Sequence, residues 1–317
     1  MLDVIIIGGG PAGLTAALYC ARRTLKTKVI AKDLGGQMAT TTEIENYPGF
    51  DNIDGVNLAM KMKEQIEKFG AEFILGDVTE LIKKDDGSFE VTYNKDQKEQ
   101  ALSVILAFGL TPRNLEVPGE EEFQGKGVTY CANCDAPLYK GKNVVVVGGG
   151  NAALDAADYL SRIASKTYLV HRRDKFRGEE IIVNQIMENE KIECILDSEV
   201  KEIKGDRVVT GMVINNIKTN KEQEVKLSGV FIEVGRVAKS DFLEGLVDMN
   251  DEKQVIINEV GGTNAPGIFA AGDITNTPNK QIAVATGTGV NAALSCYTYL
   301  QKKKGEQEKI GSDWGKI

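Results

Sequence analysis

The sequence predicts an α/β fold with two doubly wound domains, and three features of the 317-residue chain lead to this prediction. The length exceeds what one hydrophobic core usually fills and suits two domains. Residues 3–10 recur in the middle of the chain as residues 143–150. Each copy is a β-branched run, then glycines, then an alanine-rich segment at helical spacing. That order predicts a buried strand, a tight turn and a helix, the opening of a parallel βαβ unit.

Composition excludes several classes of function. The apolar fraction of 42% and the charged fraction of 26% are those of an ordinary globular protein. A net charge of -8 argues against a nucleic-acid partner and an anionic membrane surface. The N-terminus lacks the basic region of a signal peptide, and no apolar run approaches the ~20 residues that span a bilayer. Five cysteines are too few for a disulfide framework, so we expect a reducing, cytoplasmic location.

Both glycine turns carry the pattern of a dinucleotide fingerprint. The first glycine allows the sharp turn, the second lets the backbone approach a pyrophosphate, and the third small residue lets the helix pack closely on the strand. The alternative is a plain packing role for the glycines, which two copies in strand-turn-helix context disfavour. The predicted nucleotide-binding residues are Gly8, Gly10, Pro11, Ala12 and Gly13 in the first turn, and Gly148, Gly150, Asn151, Ala152 and Ala153 in the second.

The flank of the second unit indicates which coenzyme it binds. The next predicted strand, residues 167–170, is followed by His171, Arg172, Arg173 and, shortly after, Arg177. The end of that strand is where the adenosine ribose lies in this fold, and an acidic residue normally holds a free 2′-hydroxyl there. Guanidinium groups grip phosphate bidentately, so the cluster favours NADP over NAD. The alternative is a solvated basic turn.

The first unit lacks such an arginine cluster and is therefore the better candidate for the flavin site. Its second strand, residues 27–31, is followed by Asp33, a weak candidate partner for a ribose. Residues 267–273 predict a buried strand that ends in Gly272 and Asp273. Asp273 is a candidate to bind the ribityl chain of a flavin, and a helix N-cap is the alternative.

Cys131 and Cys134 form a Cys-x-x-Cys pair between the two fingerprints. Such a pair is either a redox disulfide or half of a zinc site, and zinc needs a second ligand pair. The other cysteines, Cys20, Cys194 and Cys296, are isolated in the sequence and are expected to be buried packing residues, so no metal is predicted. The only histidine, His171, belongs to the phosphate cluster. Asp135 is therefore the candidate acid-base group for the dithiol, with a turn or N-cap role as the alternative.

The chain resembles the low-molecular-weight thioredoxin reductases over nearly its whole length. The matching segments are residues 8–13, 35–38, 43–49, 111–113, 118–120, 131–135, 148–153, 171–177 and 267–273. The resemblance implies that NADPH reduces FAD, that FAD reduces the Cys131–Cys134 disulfide, and that the dithiol reduces thioredoxin or a similar small protein. It also implies that Cys134 faces the flavin and that Cys131 attacks the partner. Further flavin-site residues that the resemblance implies are Gly36, Gln37, Asn46, Gly109, Lys280, Gln281 and Ile282.

The resemblance implies that one Rossmann-like, three-layer domain is inserted in the other. The FAD domain comprises 1–114 and 245–317, and the NADPH domain comprises 115–244 and carries the dithiol. Residues 115–127 and 235–246 are expected to be the two crossings. Because nicotinamide and dithiol must each reach the flavin, we expect a rotation about the crossings. A homodimer is also expected.

Some residues depart from the family pattern. Phe108 replaces a threonine, and Lys280 stands where arginine is usual. Residues 136–142 look closer to the flavoprotein subunit of alkyl hydroperoxide reductase, so a peroxiredoxin or glutaredoxin-like partner is an alternative. A flavin redox sensor without turnover is a second alternative, although a sensor does not need the predicted arginine cluster. Trp314 in the tail is expected to belong to a polar, partly frayed terminus.

Overall fold

The computed structural model describes residues 1–40, 44–130 and 132–305, without the side chains of Thr40, Asn133 and Cys134. Cys131 and the tail with Trp314 lie outside the described residues, and so does Glu43 of one family segment. The chain divides into two compact units, Met1–Leu110 with Ala238–Ile317, and Thr111–Val237.

The helices and strands follow one another in the order that the glycine fingerprints predict. The first stretch of unit 1 contains β1 (Leu2–Ile7), α1 (Pro11–Arg22), β2 (Thr27–Ala31), α2 (Gly55–Lys68), β3 (Glu72–Leu75), β4 (Val78–Lys83), β5 (Phe89–Tyr93) and β6 (Gln97–Leu106). Unit 2 contains β7 (Thr111–Pro112), β8 (Val128–Thr129), α3 (Ala132–Asp135), β9 (Asn143–Gly148), α4 (Asn151–Ser161), β10 (Lys166–Val170), α5 (Glu180–Glu188), β11 (Ile192–Ile195), β12 (Ser198–Gly205), β13 (Val209–Asn216), β14 (Lys221–Lys226), β15 (Gly229–Glu233) and β16 (Arg236–Val237). Unit 1 resumes with β17 (Ile268–Ala270) and α6 (Ile282–Lys303).

The central sheet of unit 1 is parallel in the order β3-β2-β1-β6-β17. The N-terminal half of β6 also pairs with β5, which pairs with β4, both antiparallel. On one face, Val4, Ile6 and Val29 pack against the apolar sides of α1, α2 and α6. On the other face, Ile5 and Ile7 pack against β4, β5 and residues 238–274. β1 is therefore buried on both faces, which explains why its sequence is a continuous apolar run.

Unit 2 repeats this plan. Its parallel sheet has the order β11-β10-β9-β15-β8, and β12, β13 and β14 form an antiparallel sheet. Val144 and Val146 face α4 and α5, while Val145 and Val147 face the antiparallel strands. The prediction of two Rossmann-like α/β domains is confirmed. The layer that covers the second face is made of antiparallel strands in both units.

The chain leaves unit 1 and returns to it at one place. Thr111–Pro112 and Arg236–Val237 pair as antiparallel strands, and the Arg113 N–H donates to the Gly235 carbonyl at 2.9 Å. The unit boundaries fall at 110/111 and 237/238, a few residues before those expected from the resemblance. This pairing fixes both chain segments at the same point of unit 2.

No helix in the described part of the chain is long and apolar enough to cross a membrane.

Candidate functional site

The first glycine turn joins β1 to α1, and its three fingerprint glycines differ in how closely other atoms pack against them. Gly8 has φ of 118°, and a Cβ there would lie 2.3 Å from the carbonyl oxygen of Ala107. A Cβ on Gly13 would lie 2.0 Å from the Gly8 carbonyl oxygen. Gly10 differs, since the nearest atom to a Cβ there is the Gly35 carbonyl oxygen at 3.8 Å. The turn is therefore packed at the first and third glycines and open at the second, as a pyrophosphate site requires.

The end of β17 meets the same turn. The Ala271 N–H donates to the Leu106 carbonyl at 2.9 Å, which aligns β17 beside β6. A Cβ on Gly272 would lie 2.8 Å from the Ala12 Cβ, and the Gly272 N–H donates to the Thr288 hydroxyl at 2.9 Å. The predicted residues of 8–13 and 272–273 therefore meet at the carboxyl edge of the parallel sheet. Thr288, on α6, is a residue that sequence reasoning missed.

Asp33 and Gly36 form a turn beside the first glycines. The Gly36 N–H donates to Asp33 Oδ1 at 2.9 Å, and the Gly35 N–H donates to the Gly9 carbonyl at 2.8 Å. One oxygen of the Asp33 carboxylate therefore stabilises the turn from Asp33 to Gly36 and is not free to bind a ribose hydroxyl. Further along, the Gln37 amide donates to the Leu110 carbonyl at 3.1 Å, which places Gln37 near Gly109.

Lys280 replaces the usual arginine and has a defined role in the turn that contains Asp273. Its ammonium group donates to the backbone carbonyls of Asp273, at 3.0 Å, and Thr275, at 2.7 Å. Burial lowers the pKa of Lys280, and the Asp273 carboxylate opposes that shift. Gln281 precedes α6, whose first residue is Ile282, and accepts a hydrogen bond from the Asn46 amide at 3.3 Å. These predicted residues lie in the same unit as the first glycine turn.

Phe108, the other departure from the family pattern, packs against Phe242 with ring centroids 5.3 Å apart. The aromatic pair extends the apolar cluster on the face of the sheet that carries β4 and β5.

The second glycine turn has the same division of roles. A Cβ on Gly148 would lie 2.2 Å from the Glu233 carbonyl oxygen and 2.7 Å from the Ala153 Cβ. Gly150 precedes α4, and no atom lies within 4 Å of a Cβ built on it. The Asn151 side-chain oxygen accepts the Glu179 N–H at 2.8 Å and thereby ties the turn to the start of α5.

The arginine segment folds back over that turn. The Arg177 N–H donates to the Gly149 carbonyl at 2.7 Å, so the segment that follows β10 returns to the glycines. Arg172, Arg173 and Arg177 are exposed, and no ion pair engages their guanidinium groups within the described residues. These three exposed guanidinium groups can therefore bind an anionic group.

His171 is the buried member of this segment. It is 5% exposed, its ring stacks on Phe176 at 5.6 Å, and a Cβ on Gly149 would lie 2.3 Å from it. Burial, and then the charges of the three arginines, lower the pKa of His171. Its Nε2 atom has no partner among the described residues. A neutral imidazole with one free nitrogen therefore lies beneath the glycine turn.

Asp135 ends α3, the short helix of the Cys-x-x-Cys segment. Its carboxylate accepts a short hydrogen bond from the buried Thr129 hydroxyl on β8. Although Asp135 precedes a 3-10 turn, its side chain does not cap it. The N-cap alternative is therefore wrong, and the carboxylate instead stays on the side of the segment that faces β8. Cys131 and the side chain of Cys134 lie outside the described residues.

Two further carboxyl groups next to this segment were missed by sequence reasoning. Glu120 is 4% exposed and accepts hydrogen bonds from the N–H groups of Leu115 and Glu116 and from the Tyr130 hydroxyl. Glu233 ends β15, and burial raises the pKa of its carboxyl group to about 7, against the opposing effects of the Arg236 charge and the Ala132 N–H. An acidic residue that closes an apolar strand run, as Glu233 does, was the available signal.

Cys20 on α1 and Cys296 on α6 are both fully buried and lie in contact. Their hydrogen bond and burial raise the pKa of the Cys20 thiol, and Cys296 also donates to the Ser103 hydroxyl at 3.3 Å. The prediction of buried packing residues fits this pair, but the two cysteines are not isolated. Cys194 is half-buried. The described residues contain no group of three His, Cys, Asp or Glu side chains that could hold a metal ion.

Comparison with known proteins agrees with this geometry. The profile of the family described as pyridine nucleotide-disulphide oxidoreductase matches residues 2–289. The chain belongs to this family. A thioredoxin reductase of Bacillus subtilis is 44% identical over 95% of this chain and 95% of its own length. The crystal structure of Lactococcus lactis thioredoxin reductase (FR conformation) is 40% identical, covers 95% of this chain and 100% of its own, and has a TM-score of 0.84.

A more distant relative has a different name. A Bacillus subtilis protein named NADH dehydrogenase is 36% identical over 94% of this chain, which spans 58% of that relative. The resemblance predicted from the motifs is thus confirmed at the level of the family.

Membership of the pyridine nucleotide-disulphide oxidoreductases implies FAD and NADPH as cofactors. The residues of unit 1 fit FAD, because the second glycine is open and no described side chain caps the N-terminus of α1. The residues of unit 2 fit NADPH, because Gly150 is open, three arginines are exposed, and the buried His171 Nε2 lacks a partner.

Proposed function

We propose that this chain is an NADPH-dependent, FAD-containing thioredoxin reductase. The observation that carries the proposal is the arrangement of unit 2, in which one parallel sheet ends at both the NADPH-type glycine turn and the Cys-x-x-Cys segment with Asp135. Unit 2 thus supplies the nucleotide turn for an electron donor and also the segment with the Cys-x-x-Cys pair, which is to accept the electrons. Bound FAD, reduced by NADPH, supplies the two electrons that open the Cys131–Cys134 disulfide.

Residues of the chain bind the two cofactors, transfer the proton and attack the partner's disulfide. Gly8, Gly10 and Gly13 with the start of α1 hold the FAD pyrophosphate, and Asp273 binds the ribityl chain in a turn that Lys280 supports. Arg172, Arg173 and Arg177 hold the 2′-phosphate of NADPH. Asp135, oriented by Thr129, gives and takes the proton at the dithiol. Cys131 attacks the disulfide of thioredoxin, and Cys134 faces the flavin.

A coupled assay tests the proposal as a whole. We expect the FAD-loaded protein to oxidise NADPH in proportion to added oxidised thioredoxin, with insulin or a chromogenic disulfide as final acceptor. Background turnover with thioredoxin, together with normal flavin bleaching by anaerobic NADPH, would overturn thioredoxin as the partner. Turnover with a peroxiredoxin or glutaredoxin-like protein instead would favour that partner class. Failure of NADPH to bleach the flavin would favour a redox sensor.

The paired segments Thr111–Pro112 and Arg236–Val237 are the natural place for a rotation between the units. The NADPH site and the dithiol belong to unit 2, so each must reach the flavin of unit 1 in turn. Two narrow segments that meet at one point allow such a rotation with few backbone changes.

The family also leads us to expect a homodimer. Light scattering of the FAD-loaded protein measures its oligomeric state.

Gly10 and Gly13 offer a matched test of the flavin site. We expect Gly10→Ala to keep the fold, since the site is open and its φ is -77°. It should weaken FAD binding about 10- to 100-fold, because a methyl group comes between backbone and pyrophosphate. Gly13→Ala should instead destabilise unit 1 by about 1–3 kcal/mol or more, since its Cβ meets the Gly8 carbonyl. Fluorescence titration with FAD and the Tm of the FAD-free protein measure the two effects.

Gly287→Ala is the control for both substitutions, because Gly287 lies within α6 with no atom within 4 Å of a Cβ. Its FAD affinity and Tm should match wild type or rise slightly. Equal losses of affinity in Gly10→Ala and Gly287→Ala would contradict the pyrophosphate assignment.

Asp135→Asn tests the proton step. We expect thioredoxin turnover to fall about 10²-fold, because a carboxyl group that transfers a proton is replaced by an amide that cannot. Flavin bleaching by NADPH should be unchanged, since Asp135 acts only at the dithiol. Stopped-flow absorbance with and without thioredoxin separates the two steps. Asp206→Asn, an exposed residue of the same unit, is the control, and a loss of flavin bleaching in Asp135→Asn alone would refute this role.

A further inference from the structure

Glu120 is a buried carboxyl group in the first crossing, and the proposed mechanism gives it no role. It is 4% exposed and lies between β7 and β8. Its Oε1 atom accepts the Leu115 N–H at 2.9 Å and the Tyr130 hydroxyl at 2.8 Å, and its Oε2 atom accepts the Glu116 N–H at 2.7 Å. Both oxygens of the carboxyl group are therefore engaged, and all three donors are uncharged groups.

The two backbone hydrogen bonds close residues 115–120 into a loop around the carboxyl group of its last residue. Within this loop Glu116 has φ of 61°, a left-handed conformation that a residue other than glycine keeps only when its surroundings fix it. Glu120 supplies that fixation directly, because its carboxyl group accepts the N–H of Glu116 itself. The shape of the loop therefore depends on this one side chain.

The loop is attached to unit 2 on two sides. The Pro118 carbonyl accepts the N–H of Ile203 on β12 at 2.9 Å, and a Cβ on Gly119 would lie 2.0 Å from the Ile203 carbonyl oxygen. On the other side, Tyr130 directly follows β8 of the parallel sheet. Burial, and then the hydrogen bond to Glu120, raise the pKa of Tyr130 well above its usual range, so its hydroxyl stays protonated and keeps donating. Residues 115–120 are thus joined to both β8 and β12.

The chain before Leu115 is held in a different way. Residues 111–113 are joined to residues 235–237 by the pairing of β7 with β16 and by the bond from Arg113 to Gly235. Arg113 is exposed, and so is Asn114, which separates this pairing from the loop. Gly235 has φ of 99°, and no described atom lies within 4 Å of a Cβ built on it. A glycine in open space changes its backbone angles at little cost, as a hinge requires.

We propose that Glu120 is a positioning residue of the interdomain rotation: its carboxyl group keeps residues 115–120 on unit 2 and so confines the pivot to residues 111–114 and 235–237. The inference rests on the proposed function, because the rotation is needed only if nicotinamide and dithiol each reach the flavin. Without the hydrogen bonds of Glu120, the first link lengthens from residues 111–114 to residues 111–120. Effective concentration falls as about the -3/2 power of link length, so this change lowers it about fourfold.

Hydrogen exchange tests the hold on the loop without requiring turnover. FAD-loaded wild type, Glu120→Ala, Glu120→Gln and the exposed control Glu121→Gln are compared by mass spectrometry of peptides that cover residues 113–123 and 209–216. The first peptide contains both amides that Glu120 binds, and the second is β13, which reports the integrity of unit 2. In the first peptide we expect exchange of these amides to be about 10- to 100-fold faster in Glu120→Ala. Glu120→Gln, which keeps one oxygen acceptor, should be intermediate, and Glu121→Gln should match wild type.

The rate of flavin bleaching tests the role in rotation, which a merely structural residue would not affect. Anaerobic stopped-flow absorbance with NADPH gives the limiting rate constant and the NADPH concentration at half saturation. We expect the limiting rate constant to fall about fourfold in Glu120→Ala and by less in Glu120→Gln. The half-saturating concentration should not change, because the nucleotide turn keeps all its residues. Glu121→Gln should match wild type in both constants.

Two results overturn the proposal. One is wild-type exchange of the first peptide in Glu120→Ala. The other is faster exchange with a limiting rate constant that stays at the wild-type value or rises. If β13 also loses protection in Glu120→Ala, the substitution has disrupted unit 2, and Glu120→Gln decides by the same two criteria.

The same data separate this inference from the proposed function. If NADPH bleaches wild type but thioredoxin is not reduced, the partner assignment fails, and slower bleaching of Glu120→Ala still supports the role of Glu120. If wild type reduces thioredoxin and the Glu120 variants bleach at the wild-type rate, only the role of Glu120 fails.

Discussion

Cys134→Ser is expected to lower thioredoxin turnover by ~10³-fold or more while NADPH still bleaches the flavin. Without Cys134 the two electrons have no disulfide to open, although the nucleotide and flavin sites keep all their residues. The remaining thiol at Cys131 can still attack a disulfide, so a mixed disulfide with oxidised thioredoxin should accumulate. Stopped-flow absorbance measures the bleaching, and a non-reducing gel with mass spectrometry detects the mixed disulfide.

Cys131→Ser and Cys194→Ser are the comparison variants for this experiment. Cys131→Ser should lose turnover to the same extent but form no mixed disulfide, because the attacking thiol is gone. Cys194→Ser should keep turnover, since Cys194 is a half-buried residue of β11 whose burial raises the pKa of its thiol. A mixed disulfide with Cys131→Ser and none with Cys134→Ser would reverse the roles assigned to the two cysteines.

The parallel strands and glycine turns could be predicted because their signals are local. The strands expected at 27–31 and 167–170 are observed as Thr27–Ala31 and Lys166–Val170. A strand buried on both faces must be apolar at every position, so it can be read from a few adjacent residues. The close contact of Gly13 with the Gly8 carbonyl is likewise set by residues near each other in the chain.

The antiparallel layers could not be predicted in the same way. β14 reads Lys221–Lys226 and is exposed at nearly every position, so its sequence contains no apolar period. Its strand conformation depends on pairing with β13. Propensity is a weak signal for such strands, because what stabilises them is the neighbouring strand.

The carboxyl groups around the Cys-x-x-Cys segment depend on contacts between distant parts of the chain. Asp135 was found because it is next to Cys134, but Thr129 as its partner was not. Glu233 reaches Ala132 from the far end of unit 2, and Cys20 meets Cys296 across nearly the whole chain. A single sequence does not show such contacts. Its motifs identify the chemistry of a site, but they do not identify the residues that support the site.

Arg172, Arg173 and Arg177 together are expected to determine the coenzyme. Changing all three to alanine should lower kcat/KM for NADPH by about 10³-fold, since each charge-assisted hydrogen bond to the 2′-phosphate contributes about 1.5–3 kcal/mol and the effects only partly add. The value for NADH should change little, because NADH has no 2′-phosphate. Anaerobic flavin bleaching by each coenzyme measures both constants without a protein partner.

Arg162→Ala with Arg207→Ala is the control: it removes two positive charges from unit 2 outside the segment that returns to Gly149, where the triple variant removes three. The control should leave the preference for NADPH intact, and added salt should weaken NADPH binding in wild type more than in the triple variant. A wild-type protein that uses NADH as well as NADPH would contradict the arginine argument. Parallel losses with both coenzymes in the triple variant would instead assign the arginines to packing of the turn. Only a loss confined to NADPH supports a phosphate site, because the 2′-phosphate is the one group by which the two coenzymes differ.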